Sequence, residues 1–318
     1  MGVMDLPVAR DPAEEPPDTP LPVVVRRPAV QTAPVIFASP HSGRLYPADF
    51  VAAARLDPIS LRRSEDSFVD ELFAAAPDAG APLISATFPR AYCDPNREPW
   101  ELDPAMFDDK LPDWVNTSSA RVSAGLGTIA RVVASGEGIY RTKLRFAEAE
   151  RRVRLCWEPF HAELQTLIAA TRARFGLCVL VDCHSMPGGG PGGGPGWGPG
   201  SGQAAPHAAT GVGLPPRPDF VIGDAHGTTC APRITRLIET TLAGFGFEVR
   251  RNDPYAGGYI TRTYGRPREG VHAVQIEIGR QLYMDEARIE RAPRFAVIQT
   301  EMTRLIAHLV AESHLLAD

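Results

Sequence analysis

Three observations predict a three-layer α/β fold, with a mostly parallel or mixed central sheet carrying helices on both faces. Short apolar runs of strand length alternate with longer segments of helical period. Several of these runs, such as CVLV at residues 178–181, are continuously apolar, as expected of strands covered on both faces. Two of them stop abruptly in small polar turns, SPHSG at residues 39–43 and DCHS at 182–185. In open sheets of this kind, ligands bind beyond the carboxyl ends of the strands.

Residues 1–31 are rich in Pro and acidic residues and lack sustained periodicity before the Val23-Val24-Val25 run, so they are read as a loosely ordered arm. Residues 32–318 then form one catalytic domain. Strands are expected at 34–38, 82–88, 177–181, 219–222, 247–251 and 273–278. Helices are expected at 57–73, opened by Asp57-Pro58, and at 143–175, interrupted near Pro159 and closed by Gly176. Further helices are expected at 232–243 and 293–315. GGGPGGGPGWGPGSG at 188–202 reads as a flexible surface loop; without a Lys it cannot be a phosphate-binding P-loop.

A net charge of -5 leaves no basic surface suited to nucleic acid. No apolar run is long enough to span a bilayer, and no secretory signal pattern opens the chain. Met1-Gly2 lacks the Ser or Thr that myristoylation requires, because Leu6 stands there. A cytoplasmic enzyme is therefore expected. The five cysteines are an odd number without a Cys-x-x-Cys pair, and are read as reduced thiols. Cys183 adjoins His184, but strand alternation points it to the opposite face, which argues against a nucleophilic role.

Of the eight histidines, His161, His308 and His314 fall in expected helices without polar company, and His207 falls in the flexible tract. His41 and His184 each follow a strand inside a small-residue turn. Two imidazoles and one carboxylate, with a fourth position open, form the usual ligand set of a catalytic zinc. The carboxylate is sought among Glu65, Asp66 and Asp70, in a segment close behind His41. Glu277 stands in the otherwise apolar strand QIEI, where burying a carboxylate is costly without a partner or a purpose.

The strings SPHSGRLYP (39–47), SEDSFVDELF (64–73), PRAYCDPNR (89–97), VDCHSMP (181–187), GDAHGTTC (223–230), NDPYAGGY (252–259) and VQIEIGRQLYMDE (274–286) together resemble the N-formylglutamate amidohydrolase family, in order and over about residues 34–290. That family is similar in fold and site layout to zinc carboxypeptidases. The resemblance implies one zinc ion held by His41, His184 and Asp66, with Glu65 as the alternative carboxylate. Carboxypeptidases place their acidic ligand three residues after the first His, where this chain has Arg44. The resemblance further implies Glu277 as general base and Arg90 as oxyanion stabiliser, with Asn96 and Arg97 binding a substrate carboxylate. His226, Asn252, Tyr255, Gly257 and Gly258 would form the substrate wall, and His272 would support the ligands from behind. The implied substrate is a small N-acyl amino acid, N-formyl-L-glutamate first. Another N-acyl amino acid, a small carboxypeptidase activity, or an inactive binding protein on the same scaffold are the alternatives.

Overall fold

The computed structural model describes residues 21–188 and 217–313. His207, His314 and residues 189–202 of the Gly/Pro-rich tract lie outside them. Seven strands form one sheet: β1 (Val23–Arg26), β2 (Val35–Ser39), β3 (Leu83–Ala86), β4 (Cys178–Met186), β5 (Phe220–Gly223), β6 (Val249–Arg251) and β7 (Val271–Gly279). Their spatial order is β1-β3-β2-β4-β7-β5-β6. The inner strands β3, β2, β4 and β7 run parallel, β1 is antiparallel to β3, and β5 and β6 run together antiparallel to β7. The sheet is therefore mixed. Val23–Arg26 corrects the expected arm, because these residues pair with β3 along its outer edge.

Strand alternation divides the core into two layers. Val35 and Phe37 of β2, Val179, Val181 and Cys183 of β4, and Val274, Ile276 and Ile278 of β7 face helices Val69–Leu72, Pro232–Gly244 and Phe295–Ala311. Ile36 and Ala38, Cys178 and Leu180, and Val271 and Ala273 face the long helical segment 146–175 and helix Tyr259–Tyr264. Each fully buried Phe or Leu in these layers contributes roughly 1.5–3 kcal/mol relative to exposure. On the second face the apolar pattern ends partway up the strands: Asp182 and His184 follow on β4, Gln275 and Glu277 on β7, all buried. That switch from apolar to polar, at the carboxyl ends of β2, β4 and β7, is where the sheet opens a site.

Two expected helices differ. Residues 57–73 form two short helices, Pro58–Arg62 and Val69–Leu72, separated by a turn in which Phe68 takes φ 68°. The Ser42 hydroxyl donates to Asp66 O at 3.1 Å and accepts from Asp70 N at 3.1 Å. These are the two groups that a continuous helix would join to each other, so a side chain from the neighbouring loop stands inside the ladder and opens it. The interruption near Pro159 takes the form of a π turn, Val153–Trp157, between helices Phe146–Arg152 and Glu158–Phe175. Pro159 has no N–H to complete an α-helical ladder there. Gly176 ends the helix in the left-handed conformation, φ 78°. Among the described residues, no helix is long and apolar enough to cross a membrane.

Candidate metal centre and active site

His184 projects from β4 toward the loop that leaves β2, where His41 lies, and the two imidazoles stand 4.7 Å apart between ring centres. Asp66 N donates to His41 O at 3.0 Å, which brings the turn opened by Ser42 against the same loop. As a result Asp66 Oδ2 lies 3.3 Å from His41 Nδ1 and 3.0 Å from His184 Nδ1. These three buried residues form a cluster that could hold a metal ion. Ligand atoms about 2.0–2.1 Å from one tetrahedral ion lie about 3.3 Å from each other, and two imidazole nitrogens with a carboxylate oxygen are the donors zinc prefers. The residues present therefore fit a divalent metal.

The outward atoms of all three side chains are held. His41 Nε2 lies 2.7 Å from Asp94 Oδ1, and His184 Nε2 lies 3.0 Å from Asp182 Oδ1. Arg280 Nη2 donates to Asp66 Oδ1 at 3.0 Å, and Ser185 Oγ lies 3.3 Å from the same oxygen. Asp94 thus stands behind His41 and Asp182 beside His184, and both imidazoles turn Nδ1 inward toward Asp66. Burial alone would lower the pKa of His184, but Asp182 and Asp66 outweigh it and hold the value well above the ordinary one. Burial alone would raise Asp66, but His184 and His41 keep it well below the usual carboxylate range. Asp66 and Asp182 thus favour positive charge at His184, and a metal would take the place of the proton that they hold there.

A cavity of about 160 Å³ opens over this cluster, lined by His41, Asp66, His184 and Glu277 and by the arginines 90, 97, 121 and 280. Glu277 pairs in register with His184 on the adjacent strand, so both side chains leave the same face of the sheet. Burial pushes its carboxyl up to about 7, against the lowering effect of His184. Gln275 Nε2 donates to Glu277 Oε1 at 2.6 Å and Gln275 Oε1 accepts from Gly258 N at 2.8 Å, which fixes one carboxylate oxygen and leaves Oε2.

Residues 33–284 match the sequence model of the N-formylglutamate amidohydrolase family. The chain belongs to the N-formylglutamate amidohydrolase family. An N-formylglutamate deformylase of Pseudomonas aeruginosa is 29% identical over 286 residues, spanning 88% of this chain and 92% of its own. One from Pseudomonas putida is 27% identical over 256 residues, spanning 80% and 82%. The crystal structure of an N-formylglutamate amidohydrolase from Ralstonia eutropha JMP134 superposes with a TM-score of 0.81 at 35% identity, over 93% of this chain and 100% of that one.

Most residues singled out from the sequence of this family member come together, and a few do not. Arg90, Asn96, Arg97, Tyr255, Gly257 and Gly258 all line the cavity. Asn96 does so with its amide engaged: Oδ1 accepts from Ile260 N at 2.8 Å, and Nδ2 lies 3.0 Å from His184 Nε2 and 3.5 Å from Asp182 Oδ2. A Cβ at Gly258 would stand 2.4 Å from that Nδ2, so only glycine lets the wall approach. Glu65 faces away from the cluster, accepting from Arg62, Tyr46 and Ser67. His226 is exposed, and neither it nor Asn252 lines the cavity, which corrects their expected place in the wall. Asn252 instead holds Asp224 through two hydrogen bonds of 2.8 and 3.0 Å, and Ala225 N donates to Ala256 O, so this turn stands behind the loop that carries Tyr255. His272 pairs with Val179, five residues down β7 from Glu277 and about 17 Å away at strand spacing. It cannot support the ligands. Cys183 packs in the opposite core layer, and burial raises its thiol well above the ordinary pKa, so it is inert.

His161 is not the isolated core residue the sequence suggests. Its Nε2 lies 2.8 Å from Pro95 O, Trp157 Nε1 donates to Arg97 O at 3.0 Å, and Arg152 Nη1 donates to Tyr92 O at 3.3 Å. The helix with the π turn thus grips, at three carbonyls, the loop that presents Asp94, Asn96 and Arg97. Asp94 joins the two halves of the site. Its Oδ1 faces His41 and accepts from Asn96 N, and its Oδ2 accepts from Arg90 Nη2 at 2.7 Å. Burial would raise its pKa, but Arg90, His41 and Arg97 hold it well below the usual range.

Proposed function

We propose that this chain hydrolyses N-formyl-L-glutamate to formate and L-glutamate, using zinc held by His41, Asp66 and His184. The observation that carries the proposal is a buried His/Asp/His cluster at the base of an arginine-lined cavity, with one carboxylate, Glu277, facing it. The family membership and the names of the relatives support the same substrate. A bound zinc would supply a Lewis acid that polarises the formyl carbonyl and acidifies water.

The remaining work falls to this chain's own side chains. Glu277 Oε2 takes a proton from the attacking water and returns it to the departing amine nitrogen as the formyl C–N bond breaks, so that protons balance over the cycle. Arg90, held by Asp94, directs its charge at the oxygen that becomes negative. Arg97 donates to Leu126 O and Asn96 O but meets a carboxylate only at 3.9 Å, and its side chain is 12% exposed. Burial brings its pKa down to about 10, still charged at neutral pH. It is the group proposed to bind a substrate carboxylate, so that binding energy remote from the scissile bond orients it.

A hydrolysis screen of zinc-loaded protein tests the proposal, using N-formyl, N-acetyl and peptide derivatives of Glu, Asp and Gln. N-formylglutamate should give the highest kcat/KM, with formate and glutamate released in equal amounts. Preference for a peptide would point to carboxypeptidase activity, and no turnover of any compound to a binding protein. Arg97→Ala should lower kcat/KM on N-formylglutamate by the equivalent of about 2–5 kcal/mol, as when one member of a buried charge pair is lost. Arg97→Lys should recover part, since an ammonium keeps the charge without the two parallel hydrogen bonds. The control is N-formylglutamate diamide: an equal loss on it would assign Arg97 to the fold.

A further inference from the structure

Four arginines line the cavity, and they differ in what they already hold. Arg90 donates twice to Asp94, and Arg280 donates to Asp66 and to Ser185. Arg97 has backbone carbonyls as its close acceptors. Arg121 is half-buried, and among the described residues its guanidinium makes no hydrogen bond or ion pair. It stands on the short helix Ala120–Ser123, whose first turn is fixed by Ser119 Oγ accepting from Val122 N.

One residue links Arg121 to Arg97. Leu126 N donates to Arg121 O at 2.8 Å, while Leu126 O accepts from Arg97 Nε at 3.0 Å. The backbone of Leu126 thus ties the Arg121 main chain to the Arg97 side chain, and both arginines line one cavity. Like charges in a partly desolvated space repel, and an anion with two separated negative groups relieves both. The two positions are not equivalent. Arg97 connects to the His/Asp/His cluster through Asp94, which touches His41, whereas among the described residues the Arg121 guanidinium has no hydrogen bond or ion pair to that chain.

We infer that Arg121 is a specificity-determining residue that binds the side-chain carboxylate of a dicarboxylic N-acyl amino acid, while Arg97 binds the α-carboxylate nearer the scissile amide. The inference rests on the proposed amide hydrolysis and adds to it the reason for a diacid. A monoacid such as N-formylglutamine leaves Arg121 without an anion.

The test compares kcat/KM for N-formyl-L-glutamate and N-formyl-L-glutamine in the parent, Arg121→Gln and Arg121→Lys. The parent should prefer the diacid, and Arg121→Gln should reduce that preference on the order of 30- to 100-fold. Arg121→Lys should restore part of it. Calorimetric binding of glutarate, a diacid with no amide to cleave, should weaken in Arg121→Gln in parallel. A glutamate-to-glutamine ratio that survives in Arg121→Gln, with both rates unchanged or both lowered alike, overturns the inference and leaves the proposed function standing. A parent that hydrolyses no N-formyl amino acid overturns the proposed function and this inference with it.

Discussion

Glu277→Gln is expected to lower kcat by on the order of 10² to 10⁴, the usual contribution of a positioned acid/base group, while KM and the bound metal change little. The amide is nearly isosteric, so it can keep the contact with Gln275 Nε2 through its oxygen, but it has no basic oxygen to take a proton from water. The residue is buried on a strand whose opposite face is core, so the backbone is fixed independently of the charge. Rate, substrate affinity and metal content measured on the same preparation separate the possibilities. A variant nearly as active as the parent would move the base to another carboxylate, and Glu65→Gln is the informative comparison. Glu65 accepts from Arg62, Tyr46 and Ser67, so a loss there should appear as instability.

His184→Ala should lose the metal and with it all measurable turnover, because two protein ligands do not hold a catalytic ion where three do. It should also destabilise the fold. Removing the imidazole leaves Asp66 and Asp182 buried with one partner fewer each, and breaking a buried pair in this way typically costs about 3–5 kcal/mol. Elemental analysis after gel filtration gives the metal content, and thermal unfolding gives the second effect. His41→Gln is a useful companion, since it keeps a side chain in the space facing Asp94. Both variants should be metal-poor. If either retained a full equivalent of tightly bound metal, the ion would be elsewhere.

The fold class and the two imidazoles were legible because both follow from short-range rules. A continuously apolar run reads as a buried strand, and a polar residue at its carboxyl end reads as a site residue. Alternation also carried further than it was used: Asp182 is two residues from His184 on β4 and shares its face, as Gln275 shares that of Glu277. Other features were hidden because their causes are distant in sequence. The helical period of residues 57–73 is real, but Ser42, from another loop, occupies the hydrogen-bonding groups of Asp66 and Asp70. Arg280 acts on Asp66 from 214 residues away, and Asp94 acts on His41 from 53 residues away. No local pattern marks such pairs. The antiparallel direction of β5 had no signal either, since an apolar run reads the same in both directions.

For the proposed hydrolysis, the cluster of His41, Asp66 and His184 must hold the metal on which the reaction relies. The most direct test strips the purified chain with a chelator, verifies by elemental analysis that it is metal-free, and titrates zinc back while formate release from N-formylglutamate is followed. The expected result is no turnover in the stripped protein and a rate that rises linearly to a plateau at one zinc per chain. Full activity in protein shown to be metal-free would contradict it.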